Sequence, residues 1–246
     1  MREEYWMRRR FFVDQVRNGQ ATLDGDDARH LTRVLRVEAG QRYEISDNRN
    51  VYLAEIESAH KERVVFRTLE KLQAPAAGVR LILCAALVKF DRFEWMIEKA
   101  TELGVAEIVP FEAARSERGL ERAAHKRVER WRRIALEASQ QSRRAHLPEV
   151  REPVAFEGVI ALAAEYRYVL DEEPGGVALG SVTPAERSAE DSAALLIGPE
   201  GGWTEPERAA FAAAGWTRVS LGPLILRSET AALAGLAVLA QAWNAG

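Results

Sequence analysis

The segment Leu195-Leu196-Ile197-Gly198-Pro199-Glu200-Gly201-Gly202 holds the residue types best placed to do chemistry. An apolar run with the character of a buried strand feeds a turn that carries three glycines and the carboxylate Glu200. Ligands of open α/β sheets bind beyond the carboxyl ends of the strands, and glycine lets a backbone come close to a ligand. The turn therefore reads as a ligand loop. A second segment runs Ser220-Leu221-Gly222-Pro223-Leu224-Ile225-Leu226-Arg227-Ser228-Glu229-Thr230-Ala231. Its strand ends at Gly222, an apolar stretch follows, and a helix opens at Ser228. Capping and the helix dipole account for Ser228 and Glu229. They do not account for Arg227, because a helix N-terminus repels cations, so Arg227 is expected to face an acidic partner or a ligand. A third segment is the basic helix expected over 124–144, with Gln140, Gln141, Arg143 and Arg144 near its end. The dipole favours cations there, and the same side chains suit phosphate and base edges.

Several chemistries are excluded. Neither G-x-G-x-x-G nor G-x-x-x-x-G-K-[ST] occurs, nor do H-E-x-x-H and G-x-S-x-G. His30, His60, His125 and His146 are scattered and read as surface or packed residues rather than metal ligands. The single cysteine, Cys84, forms no intrachain disulfide, which fits a cytoplasmic protein. The opening MREEYWMRRRFF has no apolar core and does not read as a signal peptide. The net charge of −3 hides an asymmetry within 246 residues that carry 29 arginines but 5 lysines. Residues 113–151 hold 11 basic and 5 acidic side chains, whereas 152–210 hold 3 basic and 12 acidic ones. A basic patch on a mildly acidic body can focus a field on a polyanion, although arginines on a solvated helix face give the same count.

Two kinds of element must position these residues. Short, partly alternating runs at 10–13, 43–46, 51–56 and 63–69 predict strands, with one helix over 26–35. Asp47-Asn48-Arg49-Asn50 predicts a hairpin turn. Residues 71–78, with Pro, Gly and small side chains, predict a linker. Beyond it strands at 79–88, 105–110, 166–170, 193–197 and 217–221 alternate with helices. One spans 90–104 and is stopped by Gly104, one opens with a Thr204/Glu207 capping box, and one covers 228–243. A polar loop is expected over 171–192. The alternation predicts an α/β domain with a mainly parallel sheet.

In combination these segments resemble the ribosomal RNA small subunit methyltransferase E family of the SPOUT class. Arg9-Arg10-Phe11-Phe12 is similar to the family's opening. His30-Leu31 with Val34-Leu35-Arg36 and Gly40 is similar to its HL..VLR...G pattern. Lys89 with the run from Ile97 to Val105 resembles its K…KatELGv motif. Arg130-Trp131, Glu137-Ala138 and the stretch from Gln141 to Pro148 resemble RW…EA..Q..R…P. The IGPEGG and LG..ILRSETA segments resemble its two knot motifs. The chain departs from the pattern at Leu224, where an arginine is usual, at Ser228, where threonine is commoner, and at the 47–50 turn.

The resemblance implies an N-terminal PUA-like β-barrel over 1–72 and a SPOUT trefoil-knot domain over 73–246 that forms a homodimer. It implies methyl transfer from S-adenosyl-L-methionine to N3 of one uridine in 16S rRNA of the small ribosomal subunit, without a metal. Carried onto this chain, the cofactor site comprises Leu170, Gly198, Pro199, Glu200, Gly201, Gly202, Leu221, Gly222, Ile225 and Leu226. Arg227 would stabilise a uridine anion, and Glu229 is either a base or a helix-start residue. Arg9, Arg10, His30, Arg33, Arg36, Arg115, Gln141 and Arg144 would position RNA. Two rival readings are an RNA-binding protein that has lost the reaction, favoured by Leu224, and a nucleotide-dependent enzyme of ordinary doubly wound fold, disfavoured by the missing phosphate fingerprints.

Overall fold

Residues 9–74, 78–173 and 175–244 are described by the computed structural model. Two compact units share the chain. One comprises Met1–Ala76 with Ser139–Leu147, the other Ala77–Ala138 with Pro148–Gly246.

Alternation builds the first unit. β1 (Arg10–Phe12), β2 (Gln20–Asp24), β3 (Arg42–Ser46), β4 (Val51–His60) and β5 (Arg63–Leu72) form one sheet in the order β1-β3-β4-β5-β2. Ile45, Ala54, Ile56, Val64 and Phe66 turn inward and pack with Phe11, Leu23 and Leu31. β3 and β4 pair antiparallel across the expected turn. There the Asp47 carboxylate accepts from the backbone N–H of Arg49 and Asn50, and Asn48 takes φ +64°. β2 is not among the strands expected from the sequence, although Gln20–Asp24 alternates polar and apolar residues with Ala21 and Leu23 buried; it pairs antiparallel with β5. The expected helix divides into α1 (Gly25–His30) and a π-helical turn, Leu31–Leu35, ended by Arg36 at φ +52°. Of the expected linker, Lys71 and Leu72 close β5, while 75–77 lie outside the described residues.

The second unit is a sheet of parallel pairings. Its strands are β6 (Arg80–Ala86), β7 (Glu107–Glu112), β8 (Glu149–Val150), β9 (Val154–Ala155), β10 (Tyr166–Leu170), β11 (Val177–Ala178), β12 (Ser192–Ile197) and β13 (Thr217–Ser220). They run β11-β13-β10-β12-β6-β7-β8, with β9 also on β7, and all of these pairings are parallel. A parallel sheet is covered on both faces, so its central strands are apolar on both sides. In β6, Leu81, Leu83 and Ala85 enter one core while Ile82, Cys84 and Ala86 enter another. The first core is closed by α2 (Phe90–Glu102), α4 (Val128–Gln141) and α7 (Ser228–Asn244), the second by α5 (Phe156–Ile160) and α6 (Glu205–Ala213).

The long basic helix is a correction. It is broken into α3 (Leu120–Ala124), a 3-10 turn (His125–Arg127) and α4, and residues 142–144 lie beyond it with Arg143 at φ +57°. Among the described residues no helix is long and apolar enough to cross a membrane, and no group of three or more His, Cys, Asp or Glu is placed to hold a metal ion.

Candidate functional site

Parallel registry brings three strand ends to one edge. Leu170 pairs with Ile197 and with Val219, so β10, β12 and β13 end side by side and release their loops in the same direction. The loops enclose a cavity lined by Leu170, Ile197, Gly198, Leu221, Gly222 and Leu226, among others. A neighbouring cavity shares Glu172, Pro199, Ile225, Leu226 and Ser228 and adds Glu200, Gly201, Gly202 and Arg227. All the expected cofactor residues therefore line one or both of these cavities.

The loop geometry depends on glycine. A Cβ on Gly198 would come within 2.8 Å of the Trp203 indole, which is fully buried. Trp203 donates through Nε1 to the Leu170 carbonyl at 2.8 Å, tying the β12 loop to the end of β10. Gly202 sits at φ +69°, and a Cβ there would collide with the Glu172 carboxylate. Ser228 opens α7 without a side-chain cap bond of the expected kind. Its hydroxyl donates to the Gly198 carbonyl at 2.9 Å and pins the helix start to the loop.

Charges divide into satisfied and unsatisfied groups. Glu200 is exposed but ion-paired with Arg92 of α2, so its charge is already opposed by a protein cation. Arg115 donates to the Gly201 carbonyl at 2.9 Å. Asp171 is buried and receives two hydrogen bonds from Arg208, at 3.0 and 3.1 Å, which hold that guanidinium firmly in its charged form. Arg227 is exposed and, among the described residues, has no side-chain hydrogen bond or ion pair. It lines a third cavity with Asp91, Arg92, Trp95, Glu229 and Thr230. Glu229 is only 8% exposed, and its Oε2 is buried without a hydrogen-bond partner. The expected pair of a free cation and a carboxylate is thus brought to one cavity.

Residues 75–240 match the RNA methyltransferase domain family and 23–69 the RNA methyltransferase PUA domain family. A ribosomal RNA small subunit methyltransferase E from Mycobacterium bovis is 32% identical over 96% of this chain and 93% of its own. The chain belongs to the ribosomal RNA small subunit methyltransferase E family. A member from Neisseria gonorrhoeae, solved bound to S-adenosyl methionine, is 27% identical with a TM-score of 0.84, covering 96% of this chain and 98% of that one. A methyltransferase from Legionella pneumophila, solved with the cofactor SAM, is 28% identical with a TM-score of 0.84, covering 95% and 96%.

The RNA-directed residues expected from that family are dispersed. Arg33 and Arg36 are exposed on and after the π-helical turn, and His30 and Arg9 are half-buried. Arg10 is different. It is buried, grips Glu44 at 2.7 and 3.0 Å across the β1–β3 pairing, and donates to the Arg143 carbonyl at 2.8 Å. Arg143 closes on the same carboxylate. Ser46 donates to the Ala145 carbonyl and Leu147 to the Asn48 side chain, each at 2.7 Å. Arg10 is therefore a structural clamp that sets the 143–147 loop. Gln141 ends α4 and is exposed. Burial pushes the Arg144 guanidinium down to about 10, which leaves it charged at neutral pH. Sequence reasoning missed Glu172, Arg92, Trp203 and the Asp171–Arg208 pair, because their partners lie far along the chain.

Proposed function

We propose that this protein methylates N3 of a uridine in 16S rRNA of the small ribosomal subunit, with S-adenosyl-L-methionine as donor, giving 3-methyluridine. The observation that carries the reading is Arg227, an exposed cation without a side-chain partner among the described residues, in one cavity with the buried carboxylate of Glu229, whose Oε2 has no hydrogen-bond partner. The trefoil knot, the division at residues 72/73, a homodimer through the second domain and a cytoplasmic location belong to the same reading.

The residues present fit the cofactor. Apolar Leu170, Leu221 and Leu226 with the glycine edges of Gly198 and Gly222 suit a flat purine ring, and the adjoining cavity is polar and charged. Leu224 and Ile225, 77% and 86% exposed, are apolar surface that a ligand would cover. When bound, the cofactor supplies an electrophilic methyl group on sulfur. The chain's own residues deal with the nucleophile. Uridine N3 carries a proton and attacks poorly until it is lost. Arg227 lowers the cost of the resulting anion, as preorganised charge does where charge develops. Glu229, which lines the same cavity as Arg227, accepts the N3 proton in the role of a general base. N3 lies on the pairing edge of the base, so the uridine must be unpaired or turned out of its helix.

The test uses small subunits from cells that lack the modification, incubated with the protein and methyl-labelled S-adenosylmethionine. Nucleoside mass spectrometry should find label in 3-methyluridine at one site. Label in another nucleoside would overturn the uridine-N3 assignment, and confirmed cofactor binding without label would favour an RNA-binding protein that has lost the reaction.

A further inference from the structure

The two cofactor cavities meet at Glu172, a residue that neither the IGPEGG nor the LRSETA segment contains. It follows β10 on a short acidic stretch, Asp171-Glu172-Glu173, whose geometry Arg208 fixes. That guanidinium is committed to Asp171 by two hydrogen bonds and reaches Glu173 and Glu205 at 3.0 and 3.1 Å. It stands 3.8 Å from Glu172, which accepts no hydrogen bond among the described residues. The Glu172 carboxylate lies against Gly202, in space that any other residue's Cβ would fill. The glycine therefore keeps a carboxylate at the junction of the cavities.

The same region has an electrostatic need for it. Arg227 lines the second cavity, and the N-terminus of the 17-residue helix α7 points its positive end there. Both repel a positively charged ligand. Glu200, the other carboxylate of that cavity, is neutralised by Arg92. Glu172 is the anionic group left to offset the repulsion. We infer that Glu172 is the residue that recognises the positive sulfur of the methyl donor and discriminates it from the uncharged sulfur of the demethylated product. This rests on the proposed cofactor site. It gives the site a way to release product, since a loss of charge at sulfur removes the attraction while Arg227 remains.

The experiment is calorimetric titration of the intact protein with S-adenosylmethionine and, separately, with S-adenosylhomocysteine. The two ligands share the adenosine, the ammonium and the carboxylate and differ in the sulfonium methyl. Glu172→Gln should weaken the first by about tenfold, a figure discounted for the solvent exposure of the side chain, and leave the second within about twofold. Glu172→Asp should restore part of the preference. An unchanged melting temperature without ligand would show that the fold is intact. Equal weakening of both ligands would place the contact on a shared part of the molecule and overturn the inference. Unchanged affinity for both would also overturn it. If the wild-type protein binds neither ligand, the failure lies with the cofactor reading itself, and the inference falls with it.

Discussion

Arg227 and Glu229 stand two residues apart, and the fold treats them oppositely. The arginine lies outside the helix start and is exposed, while the glutamate is buried with one oxygen unsatisfied. Arg227→Ala should lower single-turnover methylation of unmodified subunits by about 10²–10³ while cofactor affinity is kept. Normal methylation by that variant would remove Arg227 from the chemistry. Gly202→Ala asks a side chain to adopt φ +69° and displaces Glu172. A loss of about 1–2 kcal/mol is expected from the backbone alone, read as a lower denaturant midpoint, together with weaker cofactor binding. Residue-scale reasoning from sequence singles out Arg227 because its anomaly is local: a cation where the dipole repels one. It misses Glu172, because nothing in Asp-Glu-Glu marks which carboxylate Arg208, 37 residues away from Asp171, will leave without a hydrogen bond. It misplaces Arg10 for the same reason. Glu44 reaches it only through strand pairing, and breaking a buried pair of this kind costs about 3–5 kcal/mol.

Elements with strong local signals were legible. The strand expected at 166–170 is Tyr166–Leu170, and the helix expected to stop at Gly104 ends at Glu102 with Gly104 at φ +93°. The Thr204/Glu207 box forms both reciprocal hydrogen bonds, and Glu207 also satisfies the Ala114 N–H at 2.8 Å. The short α5, β8 and β9 have two to five residues each and no periodicity to read; packing on β7 and the second core makes them. α2 and the 3-10 turn and helix after α3 are joined by Glu94, which accepts from Arg130 at 2.8 and 2.9 Å and from Arg127 at 3.0 Å. The Arg130 hydrogen bonds, aided by Arg127, hold the Glu94 carboxyl below the usual carboxylate range. A carboxylate depressed in the folded state adds stability above its unfolded value of about 4.3, and that stability is lost as pH falls through the folded value. Glu94→Gln should therefore cost about 1 kcal/mol at neutral pH, and the gap in melting temperature from wild type should close below about pH 4. A gap independent of pH would mean that packing rather than charge joins these helices.

At the scale of the whole molecule the net charge of −3 is a poor guide to its partner, because the signs are segregated. Arg33 and Arg36 are exposed on the first unit, Arg115 is exposed at the loop that carries Gly201, and Arg10 is internal. Phosphate contacts release counterions, so the logarithm of RNA affinity should fall linearly with the logarithm of salt concentration. If Arg33 and Arg36 each meet a phosphate, Arg33→Ala and Arg36→Ala should each flatten that slope by about 0.7–0.9 and leave the melting temperature unchanged. Arg10→Ala should do the reverse, lowering the melting temperature through loss of the Glu44 pair. Titration of an rRNA fragment over a range of KCl, with melting curves for each variant, separates the two classes of arginine. A slope untouched by Arg33→Ala and Arg36→Ala would move the RNA-binding face away from the π-helical turn. It would leave the exposed arginines of the second unit as the cations that contact the polyanion, beside the cavity that Arg227 lines.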